Sequence, residues 1–164
     1  LEGGGKLLAE HLRGFVPVIY SSPANKPIAY AWKTKFNETS KIPAFFNVLP
    51  ELNHNEMTGF DVSDSTRQLS DKFSFVLLKD ASDHPSILKR MSLLEKMFVE
   101  RRFPVKVYEL EGRTVFHKIF SSLVLADWTA YHLAQFYGME PEQIPMVEEF
   151  KKLMNPERDC ESTP

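Results

Sequence analysis

Four groups of side chains in this sequence could move a proton or hold a charged ligand, and each also has an ordinary reading. Glu38 lies three residues from both Lys35 and Lys41. On a helix that spacing sets a carboxylate between two ammonium groups, which would keep it ionised and ready to accept a proton. A solvated ion-pair face shows the same spacing. His54 sits in the polar run Pro50, Glu51, Leu52, Asn53, His54, Asn55, Glu56. A near-neutral imidazole there could pass protons to and from a substrate oxygen, and a solvent-facing loop histidine would look no different. Ser21 and Ser22 follow an apolar run and precede a helix start, a junction that can offer N–H groups and hydroxyls to a phosphate or simply be a capped turn. Lys151 borders the apolar face of the last helix, as a snorkelling boundary lysine also would.

Other chemistries find little support. There is no GxGxxG, phosphate-loop lysine motif or HExxH, and the five histidines lack metal-ligand spacing. Asn37, Glu38 and Thr39 spell a glycosylation sequon, which needs a secretory route that no basic-then-apolar leader supplies.

These residues need elements to position them. Leu7, Leu8, His11 and Leu12 repeat at helical spacing up to Gly14, and Phe15 to Tyr20 reads as a buried strand. After the turn-rich Ser21 to Pro27, Ile28, Ala29, Trp32 and Phe36 predict a helix whose polar end carries Asn37, Glu38 and Lys41. Pro43 ends it, Ala44 to Leu49 predicts a second strand, and Pro50 to Glu56 a polar loop. A polar linker from Asp61 to Lys72 leads to a strand (Phe73 to Lys79), a helix (Ser86 to Arg101) and a fourth strand (Val105 to Glu109). A long helix from about Thr114 to Tyr137 stops at Gly138, and a last one opens near Pro141 or Pro145 with Met146, Val147, Phe150 and Leu153 on one face. Strand and helix alternation of this kind argues an α/β fold, a three-layer αβα sandwich on a mostly parallel sheet.

The 164 residues suit one domain, read as 1–154, with 155–164 as a frayed tail. Gly3 to Gly5 read as an entering loop and Leu1 is not a methionine, so a fragment is expected. A net charge of -2 offers no basic excess for nucleic acid or an anionic membrane, and the one cysteine, Cys160, fits the reducing cytoplasm.

The order of these features resembles one family. Val16 to Tyr20, then Trp32 and Lys33, Asn37 and Glu38, and Lys41 precede the run Leu49 to Glu56. This is similar to the C-terminal sugar isomerase domain of bifunctional phosphoglucose/phosphomannose isomerases, where an Asn-Glu-Asn-Ala-Lys helix end precedes a Pro-Glu-x-x-His-Asn-Glu loop. Asp127, Tyr131, Leu133, Ala134, Gly138, Glu140 and Pro141 resemble the family's penultimate helix and turn. Thr39, Ser40 and Ala31 depart from the family's asparagine, alanine and arginine.

The resemblance implies a flavodoxin-like sandwich, a 6-phosphosugar substrate, and neither cofactor nor metal. It implies Glu38 as the base shuttling a proton between C1 and C2, His54 assisting ring opening in the neighbouring subunit of a homodimer, and Lys151 near the ring oxygen. Asn37, Lys41 and Asn55 would contact substrate. The family's phosphate-binding hydroxyls lie in an N-terminal sister domain, so this chain alone should be nearly inactive. The leading expectation is an aldose–ketose isomerase half. Its rivals are a non-catalytic sugar-phosphate-binding or regulatory domain and a structural dimerisation module.

Overall fold

The structure is a computed structural model that describes residues 1–154; the expected tail at 155–164 lies outside the described residues. Its elements run α1 (Glu2–Leu12), β1 (Val16–Ser21), α2 (Lys26–Glu38), β2 (Phe45–Val48), a 3-10 turn (Glu51–His54), α3 (Glu56–Gly59), α4 (Arg67–Ser70), β3 (Phe73–Lys79), α5 (Pro85–Glu100), β4 (Val105–Glu109), α6 (Val115–Phe136) and α7 (Pro145–Met154). All strand pairs are parallel, in the order β2-β1-β3-β4.

Strand side chains alternate between faces, so β1 divides its residues between two cores. Ile19, with Val76 and Leu78 of β3, meets α1, α2 and α6 around Trp32 and Phe36. Val18 and Tyr20, with Phe75 and Leu77, meet the 3-10 turn and α5 around Leu52, Leu94 and Phe98. Helices therefore cover both faces, and the expected three-layer sandwich is the observed one. Order 2-1-3-4 with parallel neighbours is the doubly wound, flavodoxin-like pattern, whose switch point lies between β1 and β3.

Three expectations are corrected. Gly3 to Gly5 belong to α1 and not to a loop. Gly5 is buried, and a Cβ there would fall 2.4 Å from the Trp128 Cβ, so a missing side chain lets α1 lie directly on α6. The run Pro50 to Glu56 is not open loop: Leu52 is fully buried and draws Glu51–His54 into a 3-10 turn that continues into α3. The polar linker contains the short helix α4.

Candidate functional site

A helix that follows a parallel strand must run back along the sheet to start the next one. α2 leaves the C-terminal edge at Ser21 and returns to the N-terminal edge, where its last residue, Glu38, is exposed. The backbone turns there through Lys41, whose φ is 57°, a left-handed conformation uncommon outside glycine. Asn37 Nδ2 donates to the Ile42 carbonyl at 2.9 Å and braces this turn. The Lys41 ammonium donates to the Glu38 carbonyl and, at 2.9 Å, to the Pro141 carbonyl. That bond ties the end of α2 to the segment between α6 and α7. Ser40, fully buried, donates to the Ala130 carbonyl at 2.9 Å.

Between the two tied segments opens a cavity of about 620 Å³, lined by Asn37, Glu38 and Lys41 on one side and by Ile144, Met146 and Val147 on the other. Its walls are largely apolar and its entrance carries Glu38. Lys151 stands one helical turn beyond Val147 on α7, and its ammonium donates to Glu148 at 2.7 Å. The structure thus brings Asn37, Glu38, Lys41 and the helix bearing Lys151 to one edge.

The expected ion-pair environment of Glu38 is not what forms. Lys35 pairs with Asp127 of α6, and Lys41 lies beyond the helix with its ammonium on backbone carbonyls. Among the described residues Glu38 makes no ion pair within 4 Å. The reason is geometric: α2 ends at Glu38, so the residue three positions on is no longer on its face.

His54 lies at the opposite edge. β2 runs from the Glu38 end to the C-terminal edge, and the 3-10 turn begins just past it. The 13 residues of α2 span ~20 Å, which sets the scale of the Glu38–His54 separation within one chain. His54 is exposed, and Asn55 closes its own turn: Nδ2 donates to Glu51 at 2.8 Å and Oδ1 accepts from the Glu56 N–H at 2.5 Å. Asn37 and Asn55 both spend their amides on the fold.

Glu56, two residues past His54, closes the His-Asn-Glu run, and the sequence assigns it no role. Its carboxylate accepts from the Tyr20 hydroxyl at 2.6 Å and from Asn47 Nδ2 at 2.5 Å. Tyr20 and Asn47 are register partners on β1 and β2 and share a face of the sheet. Burial, then the charge of Glu56 and the bond to it, pushes the Tyr20 phenol far above its usual range, so it remains a donor. The available signal was a tyrosine in an otherwise aliphatic buried strand, whose hydroxyl needs a partner.

Ser21 and Ser22 do not form a phosphate cradle. Both are buried; the Ser21 hydroxyl donates to the Ser22 carbonyl at 3.1 Å, and Ser22 Oγ accepts from the Asn25 amide at 3.1 Å. Asn25 in turn donates to Asp80 at 3.2 Å and to Asp83 at 3.5 Å, so two carboxylates face the switch point where an anion would have to sit. Lys118 pairs with Asp80, and Ser82 donates to it from its backbone N–H and hydroxyl at 3.0 and 2.7 Å. Burial alone would raise the Asp80 carboxyl, but the bonds from Lys118, Ser82 and Asn25 outweigh it and hold the group at about 2.

Residues 2–154 match the family model described as bacterial phospho-glucose isomerase C-terminal SIS domain. A bifunctional phosphoglucose/phosphomannose isomerase of Aquifex aeolicus is 34% identical over 152 residues, which is 93% of this chain and 46% of that protein. A D-glucosamine-6-phosphate 4-epimerase of Sulfolobus acidocaldarius is 48% identical over 50 residues, 30% of this chain and 16% of that protein. The structure of a glucose-6-phosphate isomerase like protein from Thermus thermophilus superposes with a TM-score of 0.66 at 22% identity, covering 87% of this chain and 46% of that one. The chain spans about half the length of the isomerases it matches.

Proposed function

The chain belongs to the bacterial phospho-glucose isomerase C-terminal SIS domain family of sugar-phosphate isomerases, and on that premise we propose that it supplies the carbon-acid base of an aldose–ketose isomerase. Glucose 6-phosphate or mannose 6-phosphate is interconverted with fructose 6-phosphate through a shared enediol. Glu38 takes the C2 proton of the open-chain aldose while the carbonyl oxygen at C1 gains a proton. The resulting enediol then loses the O2 proton as C1 is reprotonated from Glu38. C2 is planar in that intermediate, so the two aldose epimers converge on one enediol; their C2 hydrogens lie on opposite faces, and a turn about C2–C3 brings either one to Glu38. A carboxylate suits the transfer because one group reaches both adjacent carbons.

The observation that carries this reading is Glu38 itself: an exposed carboxylate at the rim of a sizeable cavity, with no cation partner among the described residues. Lys151 on the adjacent helix stands near the sugar ring oxygen. His54, on the far edge of its own sheet, assists ring opening in the neighbouring subunit of a homodimer. A sister domain outside this chain holds the phosphate, which fits the two carboxylates at this domain's own switch point. No described helix is long and apolar enough to cross a membrane, and the cytoplasm is the proposed compartment.

The test is Glu38→Gln in the full-length protein, assayed for fructose 6-phosphate formation and for exchange of the C2 hydrogen with deuterated water. Both should fall roughly 10²–10⁴-fold, the range of a lost general base. Undiminished exchange removes Glu38 from the chemistry. A second reading has one observation in its favour, the amide of Asn37 and the ammonium of Lys41 being spent on backbone carbonyls. It is a non-catalytic sugar-phosphate-binding domain, and it predicts 6-phosphosugar binding with no exchange even in the full-length wild type.

A further inference from the structure

We propose that Glu56 is the positioning residue of His54, acting through a clamp formed by Tyr20 and Asn47 at the ends of β1 and β2. The inference rests on the proposed role of His54 in ring opening. Its own ground is the distribution of anchors in the segment 50–56. Leu52 is fully buried among Val18, Tyr20 and Phe75 and fixes the depth of the 3-10 turn. Four residues later, the Glu56 carboxylate is fixed in direction, because each of its oxygens accepts from a different strand. His54 lies between these anchors and is exposed. A backbone pinned on both sides of one solvent-facing imidazole is arranged to meet a group from outside its own subunit.

The donors are not interchangeable with water. Tyr20 is fully buried with its ring against Phe75 and Phe98 at centroid distances of 5.5 and 6.4 Å. Its hydroxyl position is therefore set by core packing. Asn47 is oriented by its other end, since its Oδ1 accepts the Val48 N–H at 2.8 Å and leaves Nδ2 to point at Glu56. Both donors belong to the sheet, so the clamp couples the histidine turn to β1 and β2. Misplacement of a reacting group by about 1 Å can cost roughly 10²-fold in rate, which makes such a clamp a rate determinant without any contact to substrate.

The experiment uses the full-length protein with Tyr20→Phe, Glu56→Gln, His54→Gln and the double variant His54→Gln/Glu56→Gln. Tyr20→Phe removes one bond and keeps the buried ring; Glu56→Gln keeps one acceptor oxygen for the Tyr20 hydroxyl and sets an N–H against Asn47 Nδ2, which breaks that bond. Each should lower kcat on glucose 6-phosphate about 10–100-fold with KM changed less than threefold. In the His54→Gln background, Glu56→Gln should add less than a twofold loss. Full additivity of the two losses, or wild-type kcat in both Tyr20→Phe and Glu56→Gln, overturns the clamp. If His54→Gln itself keeps wild-type kcat, the ring-opening role falls and the clamp with it. The His54→Gln control distinguishes that result from failure of the clamp alone.

Discussion

Asp80 is tightly committed, with a side chain 7% exposed, Lys118 on one oxygen and Ser82 on the other. Its folded-state value of about 2 lies below the ordinary 3.8, so the folded protein binds this proton more weakly than the unfolded chain. The stabilisation is therefore fully present above about pH 4 and is lost as pH falls towards 2. A depression of that size corresponds to about 2 kcal/mol. Asp80→Asn should lower stability at pH 7 by roughly that amount or more, since Lys118 is then left poorly paired. Urea unfolding at pH 7 and at pH 3 checks it: the gap between wild type and variant should narrow at the lower pH, and an unchanged gap would assign the stabilisation elsewhere. Glu38 contrasts with it: a carboxylate caged by donors holds a fold together, whereas one that makes no ion pair among the described residues, beside a cavity, suits the proposed role as a base.

Elements explain why the site was only half legible in the sequence. The apolar spacing of Ile28, Ala29, Trp32 and Phe36 marked α2, and short β-rich runs marked all four strands, because burial of one face dictates residue types directly. Pairing between helices leaves a fainter trace. Lys35 looked like a partner for Glu38 and belongs to Asp127, which only the α2–α6 contact reveals. The triplet Gly3 to Gly5 looked like a loop because glycine usually marks one, yet here close approach to α6 selects it. The same cause gives two substitutions opposite signs. Gly5→Ala drives a methyl into the Trp128 backbone and Cβ and should cost about 1–3 kcal/mol. Gly3→Ala meets nothing within 4 Å and should gain up to about 1 kcal/mol from helix propensity. Paired thermal melts of the two variants, one midpoint falling and one rising, would establish that packing against α6, and not helix propensity, fixes residue 5.

At the scale of the whole molecule, the two halves of the proposed chemistry stand on opposite edges of one sheet, and a rigid parallel sheet cannot bring them together. α7 stands apart from both cores: none of its residues is buried, and Met146, Phe150 and Leu153 are 81, 62 and 73% exposed. An isolated helix of ten residues is marginal in water, and among the described residues nothing buries this apolar face. If each site pairs Glu38 of one subunit with His54 of the other, inactive variants must complement. Glu38→Gln and His54→Gln subunits of the full-length protein, dissociated together and reassociated at random, give about half heterodimers, each with one intact site of two. About a quarter of the wild-type activity should return on mixing, although each parent alone is nearly inert. Were both groups to act within one chain, every site in every mixed dimer would carry a lesion and no activity would return. The recovered fraction therefore tests the proposed geometry directly: the length of α2 separates Glu38 and His54 within a subunit, and in the proposed dimer a second copy would close that distance.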